Sequence, residues 1–350
     1  MSKDVLIETR ARIGHITLNR PDALHALNTG MCRDMLSALK GWSSDTDIEL
    51  VLIDHAEGSR GFCAGGDIRM LARSGAADGA EARAFFADEY RLNTAIHNFP
   101  KPFVALMDGV TMGGGVGLSV HGSHRIATER TLFAMPETGI GLFPDVGGGW
   151  FLPRLEGELG TWLALTGARL KGTDVVAAGV ASHFVPSGSV ADLRSDLINA
   201  SSPSEELDGI LAKYVEPVDV GSFAQHADTI NSCFAHDRAE DILEALQGNG
   251  SEWAREQAGL LKTKSPRTVK VALRQLREGR AFDLFEDNMI NEYRIGCRQV
   301  ASTDFIEGVR AVIIDKDHDP KWDPSSLEAI SDETVDGVFA PLPDGEELSF

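Results

Sequence analysis

The sequence predicts an α/β fold: repeated ββα or βαβ units through residue 200, then a mainly helical region over residues 201–350. Three observations predict it. Short apolar, branched runs such as Leu50–Asp54 and Phe103–Met107 have the composition of strands buried on both faces. These runs alternate with helical patterns, the arrangement that builds a sheet covered by helices. Beyond residue 200 the strand-like runs stop and only helical periodicity continues.

The elements follow in order. Val5–Ile7 and Ile13–Leu18 read as strands joined by a turn near Ala11. Asn28 or Thr29 caps a helix whose Met31, Met35, Leu36 and Leu39 share one face. Glu81–Asn98 reads as a helix, with Phe85, Phe86, Leu92 and Ile96 on its buried side. Gly109–Gly122 is expected to turn into a helix, and Ile126–Thr128 and Leu132–Met135 are short strands. Later helices are expected at Ile242–Leu246, Trp253–Leu261, Val269–Arg277 and Phe285–Arg294. Pro186–Gly188 and Ser201–Ser204 are the most linker-like stretches. The acidic tail from Ser331 onward is poor in apolar residues and is expected to be poorly ordered.

Bulk composition narrows the function. The chain has 350 residues, 43% of them hydrophobic, which supplies a core without disulfide or metal staples. Its net charge of −20 opposes binding to nucleic acid or to anionic membranes. Any anionic ligand must then rely on helix N-termini, backbone N–H groups and a few local bases. Cys32, Cys63, Cys233 and Cys297 form no CxxC pair and have no His at metal spacing, so reduced thiols in a cytoplasmic protein are expected, with no metal site. MSKDVLIETR does not read as a targeting peptide, and no apolar run is long enough to span a membrane.

Three segments carry chemistry. Gly61–Arg69, GFCAGGDIR, places small residues after a strand, where backbone amides can approach a ligand closely. Asp108–Gly122, DGVTMGGGVGLSVHG, sets three glycines between a strand and a helix, a ready anion site. It is neither a Walker A loop nor a clean GxGxxG. Ser119 and His121 lack the final Gly of a GxSxG elbow and read as helix residues. Met135–Leu155, MPETGIGLFPDVGGGWFLPRL, sets Glu137 and Asp145 in a Pro/Gly-rich loop among apolar neighbours. Such surroundings raise carboxyl pKa values and suit acid/base or nucleophilic work.

The order GFCAGGD, MGGG, MPE resembles the enoyl-CoA hydratase/isomerase (crotonase) superfamily, and with KSPRTVKVALRQL (264–276) and EGVRAVIIDKDHDPKW (307–322) the resemblance runs from Val5 to about Pro324. It implies a crotonase-like spiral of ββα units and an acyl-CoA thioester substrate. It implies an oxyanion hole from the N–H groups of Ala64 and Gly114. It places CoA along Leu24, His25 and Ala26 and along Ala64, Gly65, Gly66, Asp67 and Ile68, with Arg20, Arg69 or Lys101 near the phosphates. Hydratases of the family carry two catalytic glutamates; Glu137 matches one, but Gly117 stands at the other. The remaining motifs resemble the branch that hydrolyses 3-hydroxyisobutyryl-CoA in valine breakdown, which implies substrate contacts by Glu89, Gly114, Glu137 and Asp145. Glu137 is then the central base or nucleophile and Asp145 its partner. The resemblance implies no separate cofactor, since CoA belongs to the substrate. It also implies a homo-oligomer, a trimer or a dimer of trimers. The rivals are a hydratase or isomerase working through an enolate with Glu137 as base, and a non-catalytic binding protein of the same fold.

Overall fold

The computed structural model describes residues 3–350. Met1 and Ser2, which head the expected core of residues 1–200 and the N-terminal segment read as carrying no targeting signal, lie outside the described residues. The chain forms two compact units that interleave along the sequence. The first runs to Gly66 and continues through Arg91–Phe133 and Leu170–Ser222. The second is Asp67–Tyr90, Ala134–Arg169 and Phe223–Phe350.

In the first unit, β1 (Val5–Arg10) and β2 (Ile13–Leu18) form the expected antiparallel hairpin, turning at Ala11 with φ +50°. Parallel strands extend from it: β3 (Leu50–His55), β5 (Phe103–Met107), β7 (His124–Ala127) and β10 (His183–Phe184), in the order β1-β2-β3-β5-β7-β10. The intervening strands β4 (Gly61–Cys63), β6 (Val110–Met112), β8 (Leu132–Ala134) and β9 (Leu170–Lys171) make a separate four-stranded sheet. From β3 to β8 consecutive strands therefore alternate between two sheets, the spiral of ββα units that the resemblance implies. Asn28 does cap the helix Thr29–Ser44, its Oδ1 accepting the Met31 N–H at 2.9 Å.

The expected division at residue 200 follows composition; the units follow packing. Leu207, Ile210 and Leu211 from the helix Pro203–Leu211 pack with Leu50, Leu52, Val104, Leu106 and Ile126 of the large sheet. That helix belongs with the strands although it follows the change in pattern. The expected helix over 109–122 is also corrected: β6 occupies its start and only Gly114–Gly117 is helical. A glycine-rich run supports no long helix of its own, because each glycine gives up much backbone entropy.

The second unit is mainly helical. The expected C-terminal helices form as Ala239–Gly248, Glu252–Lys262, Pro266–Gly279 and Phe285–Gln299. The tail departs from expectation. Asp332–Phe339 is a helix that buries Val335, Val338 and Phe339, an i, i+3, i+4 stripe. Lys270 Nζ donates to the Ile330 carbonyl at 2.8 Å, and Arg294 pairs with Glu347 at 2.9 Å. Arg274 also pairs with Asp336, so bases of the preceding helices meet two of the tail's acids and the apolar stripe is buried between them.

Candidate active site

The glycine loops of the first unit are strapped together by backbone bonds. The Ala64 N–H donates to the Leu24 carbonyl at 3.0 Å, and the Leu27 N–H to the Gly65 carbonyl at 2.8 Å. The two segments expected to hold CoA are thus neighbours. Leu24 and His25 sit at φ +48° and +58°, an uncommon left-handed pair. The buried His25 ring secures it: Nδ1 accepts the Arg20 N–H at 2.9 Å and Nε2 meets Ser59 Oγ at 2.8 Å. Burial, with His55 nearby, lowers the His25 pKa to about 4, so the ring stays neutral and shapes the loop.

The same bonds correct one expected oxyanion donor. The Ala64 amide is already engaged by Leu24, whereas the Gly66 and Gly114 amides donate to no group among the described residues. Gly113, at φ +46° and ψ −122°, turns the chain so that Gly114 opens the short helix with its N–H unpaired. A Cβ at Gly115 would meet the Cys63 carbonyl at 2.3 Å, so only glycine lets that helix lie against β4. Glycine also fills position 117, buried in this helix, where no carboxylate is present.

The acids lie in the second unit. Glu89, Glu137, Asp145 and Glu292 are all buried, with at most 5% exposure. Glu89, which only the resemblance singled out, is inside. Glu137 opens a short 3-10 turn directly after Pro136. Tyr90 Oη donates to Asp145 Oδ2 at 3.0 Å. One oxygen of Glu89 and one of Glu137, Oε1 and Oε2 respectively, have no hydrogen-bond partner among the described residues. A buried carboxyl oxygen left unpaired costs stability and marks a position where a ligand or water would bond.

Burial is the main force on these groups, and their mutual repulsion adds to it. It raises Asp145 to about 7, with the Tyr90 hydroxyl restraining the rise. Burial and then the charge of Asp145 hold Glu137 well above the usual carboxylate range. Glu89 is raised likewise, by burial and then by Asp145 and Glu292. Asp145, raised to about 7, is poised to exchange a proton near neutral pH, and Glu137 binds its proton more tightly than an ordinary carboxylate for the same reason, burial. One proton on a close pair of acids is a workable acid/base couple.

Other expected residues have local tasks. Lys101 Nζ donates to the Trp42 and Asp45 carbonyls, both at 2.6 Å, at the end of the helix Thr29–Ser44. Arg20 bonds the Ala26 carbonyl at 2.8 Å, which ties it to the strapped loops, and Arg69 bonds the Ile313 carbonyl at 3.2 Å. Asp67 Oδ1 accepts the Met70 N–H at 3.2 Å and caps the helix that begins at Ile68. Ser119 lies in the turn that follows the Gly114–Gly117 helix, buried with its hydroxyl on the Gly115 carbonyl at 2.8 Å. Sequence reasoning missed Tyr90, Glu292 and Asn93, a fully buried side chain of the first unit whose two amide atoms have no partner among the described residues. A polar residue within an apolar helical stripe was the signal for each.

Comparison with known proteins supplies the lineage. The enoyl-CoA hydratase/isomerase family model matches residues 13–339. The rat and human proteins named "3-hydroxyisobutyryl-CoA hydrolase, mitochondrial" are 50% and 48% identical, over 97% of this chain and 89% of theirs. A solved structure titled as a carnitinyl-CoA dehydratase from Mycobacterium thermoresistibile matches with TM-score 0.94 and 40% identity, over 100% of this chain and 99% of the other. One titled as an enoyl-CoA hydratase from Rhodobacter sphaeroides matches with TM-score 0.90 and 41% identity, over 99% and 100%. With the family model covering nearly the whole chain and relatives this similar, the chain belongs to the enoyl-CoA hydratase/isomerase family.

Proposed function

We propose that the chain is an acyl-CoA thioester hydrolase that converts 3-hydroxyisobutyryl-CoA to 3-hydroxyisobutyrate and free CoA, a step of valine breakdown. One observation carries this reading: Glu137 and Asp145 are buried acids with raised pKa values in a chain about half identical to hydrolases of that name. In the reaction the thioester carbon gains an oxygen, the C–S bond breaks and the sulfur takes a proton. Glu137 is assigned to the reacting carbon, as base or nucleophile, through its unpartnered Oε2. Asp145 is assigned the complementary proton transfer, and Glu89 a contact to the acyl hydroxyl. The free amides of Gly66 and Gly114 are assigned to the carbonyl oxygen as negative charge develops there. Loss of one such donor raises the barrier by about 2.7–4 kcal/mol.

The strapped segments Leu24–Ala26 and Ala64–Ile68 are the proposed CoA contacts, and no cofactor beyond the substrate is proposed. The dehydratase and hydratase titles favour a rival, an enolate mechanism with Glu137 as base. Gly117 opposes it, because that position supplies no second carboxylate. A silent binding protein would not need two buried, proton-raised acids. The assembly is proposed as a trimer or dimer of trimers, to be measured by light scattering. The relatives' names place those proteins in mitochondria; among the described residues of this chain no helix is long and apolar enough to cross a membrane. Its cytoplasmic placement is a proposal that cell fractionation tests.

Free-thiol release across a panel of acyl-CoA esters tests the function. Fastest release from the short, branched β-hydroxyacyl ester is expected. Intact thioester with every member of the panel would remove the hydrolase reading.

A further inference from the structure

The turn that carries Asp145 has an unfavourable backbone. Val146 lies at φ +51° and Gly147 at φ +88°. A β-branched residue in the left-handed region is a genuine outlier and persists only where surrounding contacts enforce it. Those contacts come from two helices far along the chain. Glu292 Oε2 accepts the Gly147 N–H at 2.8 Å, and its Oε1 accepts the Gly149 N–H at 2.9 Å. Asn288 Nδ2 donates to the same Oε1 at 2.9 Å, and Gln275 Nε2 does so at 3.1 Å. Gln275 Nε2 also reaches the Pro144 carbonyl at 2.8 Å. The residues on both sides of Asp145 are thereby fixed. A Cβ at Gly149 would stand 2.5 Å from Asn288 Oδ1 and 2.9 Å from Gln275 Nε2, so a side chain there would push these anchors from their places.

We propose that Glu292 is a positioning residue for Asp145: its carboxylate grips the Gly147 and Gly149 amides and holds the turn that aims Asp145 at the reacting group. The inference rests on the reading of Asp145 as a participant in hydrolysis. A carboxyl group suits the task because both its oxygens, hydroxyl or carbonyl, can accept, whereas a glutamine of equal size offers one acceptor to two amides. Glu292 is fully buried and is itself lifted to about 8, chiefly by burial, so it is an expensive residue to retain for packing alone.

The test is a mutant cycle on the intact chain with 3-hydroxyisobutyryl-CoA, reading kcat, KM and thermal stability. Glu292→Gln is expected to lower kcat about ten- to a hundred-fold, the usual effect of a displacement near 1 Å, while KM moves less than about three-fold. Asn288→Ala, which removes one anchor of the carboxylate, should lower kcat in the same direction but less. In an Asp145→Asn background, assayed at enzyme concentrations that quantify residual turnover, Glu292→Gln should cost little more. Equal fold losses in both backgrounds, or a raised KM with unchanged kcat, would overturn the inference. Should Glu292→Gln fail to fold, Asn288→Ala carries the same comparison. Wild-type turnover in Asp145→Asn alone would instead remove the parent reading of Asp145.

Discussion

The two units carry opposite kinds of chemistry. The first offers backbone: the Gly66 and Gly114 amides, held by loops strapped to one another and needing no particular side chain. The second offers side chains: buried carboxyls whose proton affinity is set by what surrounds them. The difference teaches where each kind of site tolerates change. An amide donor is lost only when the backbone moves or proline replaces the residue. An acid is disabled by one atom, as when oxygen becomes nitrogen. Variants in the second unit should therefore act on proton transfer, and variants in the first on charge stabilisation.

The sharpest contrast is expected from Glu137→Gln. It keeps the volume and removes basicity, so kcat should fall by about 10²–10⁴-fold, the usual worth of acid/base catalysis. CoA binding by calorimetry should hardly change. In the first unit, Gly66→Pro deletes one N–H and should cost about 10²–10³-fold in kcat, the typical loss for an oxyanion donor. Near wild-type turnover there would return the role to another amide. Asp145→Asn should also lower kcat, and a pH profile gives the sign. Asp145 titrates near 7 and is assigned the proton transfer complementary to Glu137, so wild-type kcat/KM should fall as pH climbs through that value. The asparagine variant should lose that limb; a limb that persists would belong to another acid.

A smaller effect concerns stability. The folded pKa of Asp145 is raised from 3.8 to about 7, so the native state holds its proton more tightly than the unfolded chain does. Its contribution to stability is complete below the unfolded value and is lost as pH rises through about 7. The same holds for Glu292, from 4.5 to about 8. Wild-type Tm should therefore fall between mildly acidic and mildly alkaline pH, and fall less in Asp145→Asn. Equal slopes in the two proteins would show that burial does not hold this proton.

How much of this was legible in the sequence follows from the reach of each interaction. Strand and helix positions rest on patterns within a dozen residues, and β5 was read with its observed bounds. Glu137 and Asp145 stood in a segment whose composition signalled chemistry. The engaged Ala64 amide was not legible, because a hydrogen bond to Leu24 leaves no mark on either residue type. The tail was misread through its charge; the spacing of Val335, Val338 and Phe339 held the better signal. Glu292 was the hardest, since its partners Gly147 and Gly149 lie well over a hundred positions upstream. Its local trace was only the polar Asn288, Asn291, Glu292 and Gln299 among the buried residues of its helix.

The account's central claim is that these acids break a thioester instead of adding water across a double bond. The most direct test compares two rates on one preparation: thiol release from 3-hydroxyisobutyryl-CoA and hydration of crotonyl-CoA. Faster thiol release, unchanged by EDTA and lost in Glu137→Gln, is the result expected. Faster hydration of crotonyl-CoA would contradict the claim and return the chain to the hydratases its solved relatives are titled for.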